Sequence, residues 1–263
     1  ADFVVTFGAI SHHYFAGYGG GRKLIFPGLG SRQAIYRNHG LFLDPKERSL
    51  SPGCRPGGLD GNPLAEDLAE IERQRPADLA IHGILDSRGR VRRLLVGSGP
   101  DHFRKACQYH AQHCETPAGD GFDMVVASCG GYPKDINLIQ AHKAIHHAAA
   151  FVNDGGTLIV FAQCRDDIGS VTFLPWFDLG WGVAFDRLRQ HYQGNGGTAL
   201  AMMQKTRRIR IGLVTDLDAD LCRTIGVDRL DEKSAADLIR CQRGSLAVIP
   251  NASLLVRRPD SLA

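Results

Sequence analysis

No apolar stretch in this sequence approaches the roughly 20 residues of a membrane-spanning helix; runs such as Phe3 to Ile10 stop far short. No basic segment leads into an apolar one at the start, so a secretory signal is not expected. The seven cysteines include no CxxC pair of the kind that clasps zinc or forms a redox couple. Reduced thiols in a cytoplasmic protein are the expectation. An excess of one charge is also lacking: 31 basic residues against 28 acidic ones leave +3, and basic pairs such as Arg92/Arg93 and Arg207/Arg208 are scattered. That pattern excludes the footprint of a nucleic-acid partner. The phosphate motif GxxxxGK[ST], the dinucleotide motif GxGxxG and internal repeats are absent as well.

What remains is a globular chain of 263 residues, 43% hydrophobic and 22% charged, long enough to bury a core without disulfides or structural metals. Its 31 glycines exceed the usual ~7% and gather after short β-branched runs, an α/β habit. A buried strand is expected at Phe3 to Phe7, then the Gly-rich segment Gly17 to Gly21 and a short element at Lys23 to Phe26. Leu41 to Asn62 reads as a long irregular connection. Helices are predicted from Leu64 to about Gln74 and from about Asp101 to His113, with strands at Leu79 to Leu85 and Val91 to Val96 between them. Glu115 to Gly121, rich in Pro, Gly and acids, places a boundary between a first domain, 1–117, and a second, 118–263. The second opens with strand Phe122 to Ser128, a helix from about Asp135 to Val152, and strand Thr157 to Phe161. For such a βαβ unit a parallel sheet is expected. Strands at Ile209 to Val214 and Leu246 to Ile249, with helices near Thr198 to Gln204 and Ser234 to Cys241, extend it.

Chemistry concentrates in three places. His12 to Lys23, HHYFAGYGGGRK, follows a strand. Its glycines remove Cβ atoms so that backbone amides can approach a flat or phosphorylated ligand, with Arg22 and Lys23 adding charge; a plain flexible turn is the alternative. His39 offers an imidazole suited to nickel, zinc or copper, or to general-base work, and is also compatible with an ordinary surface or core histidine. In Gly130 to His147, the glycines and Pro133 shape a turn at the carboxyl end of a strand, where open α/β sheets place ligands. Asp135 is the expected N-cap, and residues 136, 140, 143 and 147 share a helical face. Gln140 and Lys143 can then reach one small carboxylate or carbonyl, the other reading being a solvated polar face. His142 and His146, four apart, are a candidate zinc pair for a hydrolase, without the Glu of HExxH and again with solvation as the alternative.

With these residues in place, the sequence resembles the nickel-dependent lactate racemase family, the LarA-like 2-hydroxyacid racemases and epimerases. The resemblance is carried by HYFAGYGGGRK at His13 to Lys23, by His39 at family-like spacing, by the GNP of Gly61 to Pro63 ahead of an acidic helix, and by GGYPKDIN with QAHK from Gly130 to Lys143. It implies an α/β fold of two domains with mostly parallel sheets flanked by helices and an active-site cleft between them. The first domain is then the carboxyl-terminal part of a cofactor-binding domain and the second supplies substrate contacts.

It further implies a nickel pincer nucleotide, pyridinium-3,5-bisthiocarboxylic acid mononucleotide, tethered as a thioamide to Lys23, with His39 as the imidazole ligand of nickel. Gly20, Gly21 and Arg22 become cofactor contacts, His13 one of two catalytic histidines, and Gln140 and Lys143 substrate contacts. Hydride transfer suits the task, because the C2–H of a 2-hydroxyacid is weakly acidic beside a carboxylate; the histidines handle the hydroxyl proton. The implied partners are a small 2-hydroxyacid, cofactor-biosynthesis proteins, and an amino-terminal segment or subunit carrying the other histidine, for which this chain has no equivalent. Gly19 stands where the family commonly has serine and Ile139 where it commonly has tyrosine, which leaves open which lactate-like 2-hydroxyacid is the substrate. The competing expectation is a non-catalytic or truncated paralogue that binds a small organic acid or a partner protein.

Overall fold

The computed structural model describes residues 1–117 and 119–258, and the chain divides into two compact units, Ala1–Glu115 and Thr116–Ala263. Ala118, inside the expected linker, lies outside the described residues.

The first unit runs through β1 (Val5–Ala9), the antiparallel hairpin of β2 (Ser11–His13) and β3 (Gly17–Gly19), a single 3-10 turn (Gly21–Leu24), α1 (Arg32–Gly40), the short pair β4 (Leu43–Asp44) and β5 (Ser49–Leu50), α2 (Pro63–Gln74), β6 (Leu79–Leu85), β7 (Val91–Gly97) and α3 (Gly99–Cys114). Its sheet has the order β1-β6-β7, with β1 parallel and β7 antiparallel to β6. One face packs against α3, which buries Phe103, Ala106, Cys107 and His110 from a single helical stripe. On the opposite face Val5, Phe7, Leu94 and Val96 are exposed. The strand expected to be buried at Phe3 to Phe7 is therefore an edge strand that starts at Val5 and alternates in exposure, because the 3-10 turn packs against only one side of it.

Helix α2 begins as expected, with Pro63 at its first position and Asn62 as a buried cap accepting from the Ala65 N–H at 3.1 Å. The short element expected at Lys23 to Phe26 is the 3-10 turn, and helix α1, beyond Pro27 and Gly28, was not expected. Its apolar residues cluster instead of repeating, so no stripe announces it. It is held by the Ser31 cap, which accepts from the Ala34 N–H at 3.2 Å, and by Asn38, whose side chain donates to the Leu64 carbonyl and to Asp67 of α2 at 3.3 and 2.7 Å.

In the second unit follow β8 (Glu115–Thr116, whose first residue still belongs to the first unit), β9 (Phe122–Ser128), α4 (Leu138–Ala149), β10 (Val152–Phe161), α5 (Gly180–Gln190), α6 (Gly196–Arg208), β11 (Arg210–Val214), α7 (Ala219–Thr224), β12 (Asp228–Leu230), α8 (Glu232–Cys241), β13 (Leu246–Ile249) and β14 (Val256–Arg257), which pairs with β8. Five strands form a sheet in the order β12-β11-β10-β9-β13, every neighbouring pair parallel. Val125, Leu158, Ile159, Val160, Ile211 and Leu213 are buried, the near-continuous apolar reading of strands covered on both faces. The βαβ unit predicted from the sequence is thus present, although its helix starts at Leu138. Asn137, not Asp135, caps it; Asp135 is buried and accepts from the Gln163 N–H at 3.2 Å. Among the described residues no helix is long and apolar enough to cross a membrane.

Candidate functional site

In the first unit the site is organised by Phe15, which sits in the connection of the β2–β3 hairpin and is nearly inaccessible. The His13 ring meets it edge-on at 4.6 Å, the His39 ring edge-on at 5.1 Å, and the Lys23 ammonium lies 5.8 Å from its centre. Three sequence-predicted residues from a hairpin, a 3-10 turn and the end of α1 thus share one aromatic neighbour.

The anchor beneath them is Asn62 of the GNP motif. Fully buried, it donates to the Phe15 carbonyl at 2.9 Å and the Gly58 carbonyl at 3.1 Å while capping α2. A buried amide with its hydrogen bonds met in this way is a rigid post. Asn38 does the same for His39 by locking the last turn of α1 onto α2. Neither role could be read from the sequence, since both join residues distant along the chain; the GNP motif marked the first one's place.

The His39 ring is set up as a neutral donor. Its pKa is lowered to about 4, first by burial and then by the Lys23 charge, against a smaller opposing effect of the Ile35 carbonyl. Nδ1 donates to that carbonyl at 2.9 Å, so the lone pair resides on Nε2. His13 Nδ1 accepts from the Ala16 N–H at 3.4 Å, and its ring stacks on Tyr14 at 5.3 Å.

The Gly-rich loop differs from expectation. At Gly20, φ is +76° and a Cβ would fall 2.1 Å from the Ala9 carbonyl oxygen; at Gly17, φ is +75° and a Cβ would fall 2.1 Å from that of Gly58. These glycines let the chain pack against its own backbone, and the loop is a hairpin plus one turn rather than an open cradle. Arg22 likewise turns inward: its guanidinium lies 5.1 Å from the centre of the Phe103 ring and is buried, with the Glu72 charge partly offsetting the cost. It contributes no charge to an open loop. Lys23 remains half-buried beside Phe15.

In the second unit, Gly130 and Gly131 have positive φ and lead into α4, where the Lys143 ammonium donates to Gln140 Oε1 at 2.9 Å. Burial and then the Lys134 charge lower the Lys143 pKa. The face shared by residues 136, 140, 143 and 147 is not uniformly solvated: His147 is buried, with Nδ1 donating to the Ala252 carbonyl at 3.0 Å, and Ile136 precedes the helix. His142 is also buried, 3.2 Å from the Lys205 ammonium, which overturns the picture of an exposed histidine pair. Among the described residues no His/Cys/Asp/Glu group is arranged to hold a metal by itself. A cavity of about 720 Å³ opens at the carboxyl ends of β9, β10 and β11, lined in part by Asp216, Asp231 and Glu232. That acidic lining suits a carboxylate poorly, whereas Lys143 suits it well.

Comparison with known proteins agrees with these motifs. Residues 1–50 match the lactate racemase N-terminal domain and residues 119–179 the lactate racemase C-terminal domain. The chain is 33% identical over 177 residues to a lactate racemase of Thermoanaerobacterium thermosaccharolyticum, covering 67% of this chain and 40% of that protein. It is 33% identical over 174 residues to one of Lactiplantibacillus plantarum, covering 66% and 39%. It thus spans about two fifths of the length of the curated relatives it matches. The structure of the Thermoanaerobacterium lactate racemase apoprotein superposes with a TM-score of 0.88 at 26% identity, over 98% of this chain and 63% of the other. A Thermotoga maritima protein shares the fold, with a TM-score of 0.70 at 16% identity over 98% of this chain and 67% of the other. Motifs, fold and relatives converge: the chain belongs to the LarA-like lactate racemase family.

Proposed function

We propose that this chain carries part of the active site of an isomerase, a racemase or epimerase of a lactate-like 2-hydroxyacid, that works with a nickel pincer nucleotide. The observation that supports this best is the gathering of His13, Lys23 and His39 around Phe15. An amine beside a neutral imidazole is the donor set that a lysine-tethered, nickel-bearing group requires, so the residues fit it. Lys23 would hold the nucleotide and His39 would ligate nickel through Nε2. Gly20, Gly21 and Arg22 would serve through the backbone of the turn that presents Lys23. When bound, such a group accepts a hydride and returns it.

The chain's own residues do the remaining work. His13 would take the hydroxyl proton from one enantiomer, or return it to that enantiomer, on the way to or from a planar 2-keto acid. Lys143, steadied by Gln140, pairs with the substrate carboxylate and holds it while the planar carbon presents its other face. A second histidine comes from the family's amino-terminal region, as a further segment or subunit, and cofactor-biosynthesis proteins load the site. All seven cysteines are free, which suits a cytoplasmic setting.

Peptide mass spectrometry tests the proposal on protein purified from cells that make the cofactor. A sulfur-containing mononucleotide adduct on Lys23, with nickel that disappears in His39→Ala, is the expected result. An unmodified Lys23 in those cells would hand the lead to the non-catalytic alternative.

A further inference from the structure

Beside the proposed acid/base, the hairpin hides a second polar cluster that the reaction does not touch. His12 is on the face of β2 opposite His13, directly across from Tyr18 in the hairpin register. It is buried, and its Nε2 lies 2.9 Å from Glu115 Oε1. The same oxygen accepts from the Tyr18 hydroxyl at 3.1 Å. On its other side, His12 Nδ1 lies 3.2 Å from His110 Nε2, and Cys114 Sγ lies 3.8 Å from His110 Nδ1. Four elements, β2, β3, α3 and β8, are thus tied by side chains that approach one another below the surface.

Proton accounting makes the cluster directional. A carboxylate only accepts, so the hydrogen between His12 and Glu115 sits on His12 Nε2. His12 Nδ1 and His110 Nε2 share a single hydrogen, since burial and the neighbouring His12 push the His110 pKa down to about 4 and keep that ring neutral. Burial, and next the Glu115 charge, raise the Tyr18 phenol, which keeps its proton as a donor. Glu115 is therefore the common acceptor that orients both strands of the hairpin. It is also the last residue of the first unit.

We propose that Glu115, acting through His12, is a positioning residue for His13: by holding His12 as an Nε2–H donor it sets the β2 backbone and hence the angle at which the next side chain meets Phe15 and the substrate. The inference rests on the racemase reading above. It assigns Glu115, His12, Tyr18 and His110 no contact with substrate, cofactor or metal. A geometric error at an acid/base costs turnover much more than binding, so the signature is a fall in kcat at constant KM.

The experiment uses the longest natural form of the protein, loaded with cofactor, and compares Glu115→Ala, Glu115→Gln and His13→Ala. Glu115→Ala is expected to lower kcat per loaded cofactor on the order of tenfold to a hundredfold with KM unchanged. Glu115→Gln, whose amide oxygen still accepts from His12, should stay within about threefold of the parent, a loss near a single hydrogen bond. Long-range proton–nitrogen NMR of the apoprotein gives a readout that needs no cofactor: His12 should appear protonated at Nε2 in the parent, and Glu115→Ala should shift the His13 ring signals. A kcat unchanged in Glu115→Ala, an equal loss in Glu115→Gln, or a His12 ring bare at Nε2 would overturn the proposal. If His13→Ala also keeps full activity, the racemase reading itself fails, a result distinct from failure at Glu115 alone.

Discussion

The two sets of candidate residues are mounted in different ways. In the second unit Gln140 and Lys143 sit one turn apart on a single helix and bond directly at 2.9 Å. In the first, His13, Lys23 and His39 come from a hairpin, a 3-10 turn and a helix end, and meet only around Phe15. Helical spacing supplies the first kind of geometry by itself. The second kind needs long-range posts, and the structure provides them in Asn62, Asn38 and Glu115. A site assembled from loops is therefore sensitive to residues that never touch substrate, and a site on one helix is not.

The largest expected effect tests the first set at its centre. His13→Ala in a complete, loaded form should lower interconversion of enantiomers on the order of a hundredfold to ten-thousandfold while the Lys23 adduct persists; unchanged rates would remove His13 as the acid/base. Next, the mounting itself can be compared. Asn62→Ala leaves the Phe15 and Gly58 carbonyls short of a donor and uncaps α2, and should cost about 2–3 kcal/mol in urea unfolding. Asn137→Ala removes only the cap of α4 and should cost about 1 kcal/mol. Equal losses would mean that the loop-built site is no more dependent on its posts than the helical one. Lys143→Met should raise KM about tenfold, the value of one charge-assisted contact, and leave the adduct on Lys23 intact.

The smallest effects are in pH dependence. His82 and His110 are held to about 4 by burial and by neighbouring histidines, against 6.5 in the unfolded chain. Between those values the unfolded state binds more protons, so stability falls as pH drops through the window. In the second unit burial, with a smaller effect of Arg208, pushes Lys205 down to about 7 from 10.5. Between those values the unfolded state again binds more protons, so stability rises with pH above about 7. Melting temperatures across both windows check this: Lys205→Met should flatten the alkaline rise and leave in place the part of the acid limb set by His82 and His110, which Lys205 does not influence. A persistent alkaline rise would mean that Lys205 is not its source.

Legibility followed local patterning in both units. The strand at Phe122 to Ser128 and the helix carrying Gln140 and Lys143 were read within three residues, while the strand ending at Phe161 starts five residues before the expected Thr157; apolar runs and helical periods are local properties. The cap of that helix was misplaced by two residues: Asp135 and Asn137 are both good capping types, and the competition was settled by Gln163, which takes the Asp135 carboxylate. Helix α1 carried no stripe to read, and α5, opening on the run Gly180, Trp181, Gly182, carried breakers in its place. The buried position of His142 was likewise invisible, since its neighbour Lys205 arrives on another helix.

By itself the sequence determined the α/β class, the parallel βαβ core and the family, because hydrophobic periods, β-branched runs and short motifs are written in neighbouring residues. Only the tertiary structure decided that His13, Lys23 and His39 share one ring, that the glycines serve the chain's own packing, and that Arg22 faces inward. Those outcomes depend on which distant backbone oxygen or aromatic ring lies within a few ångströms, and long-range packing sets that distance where local spacing is silent.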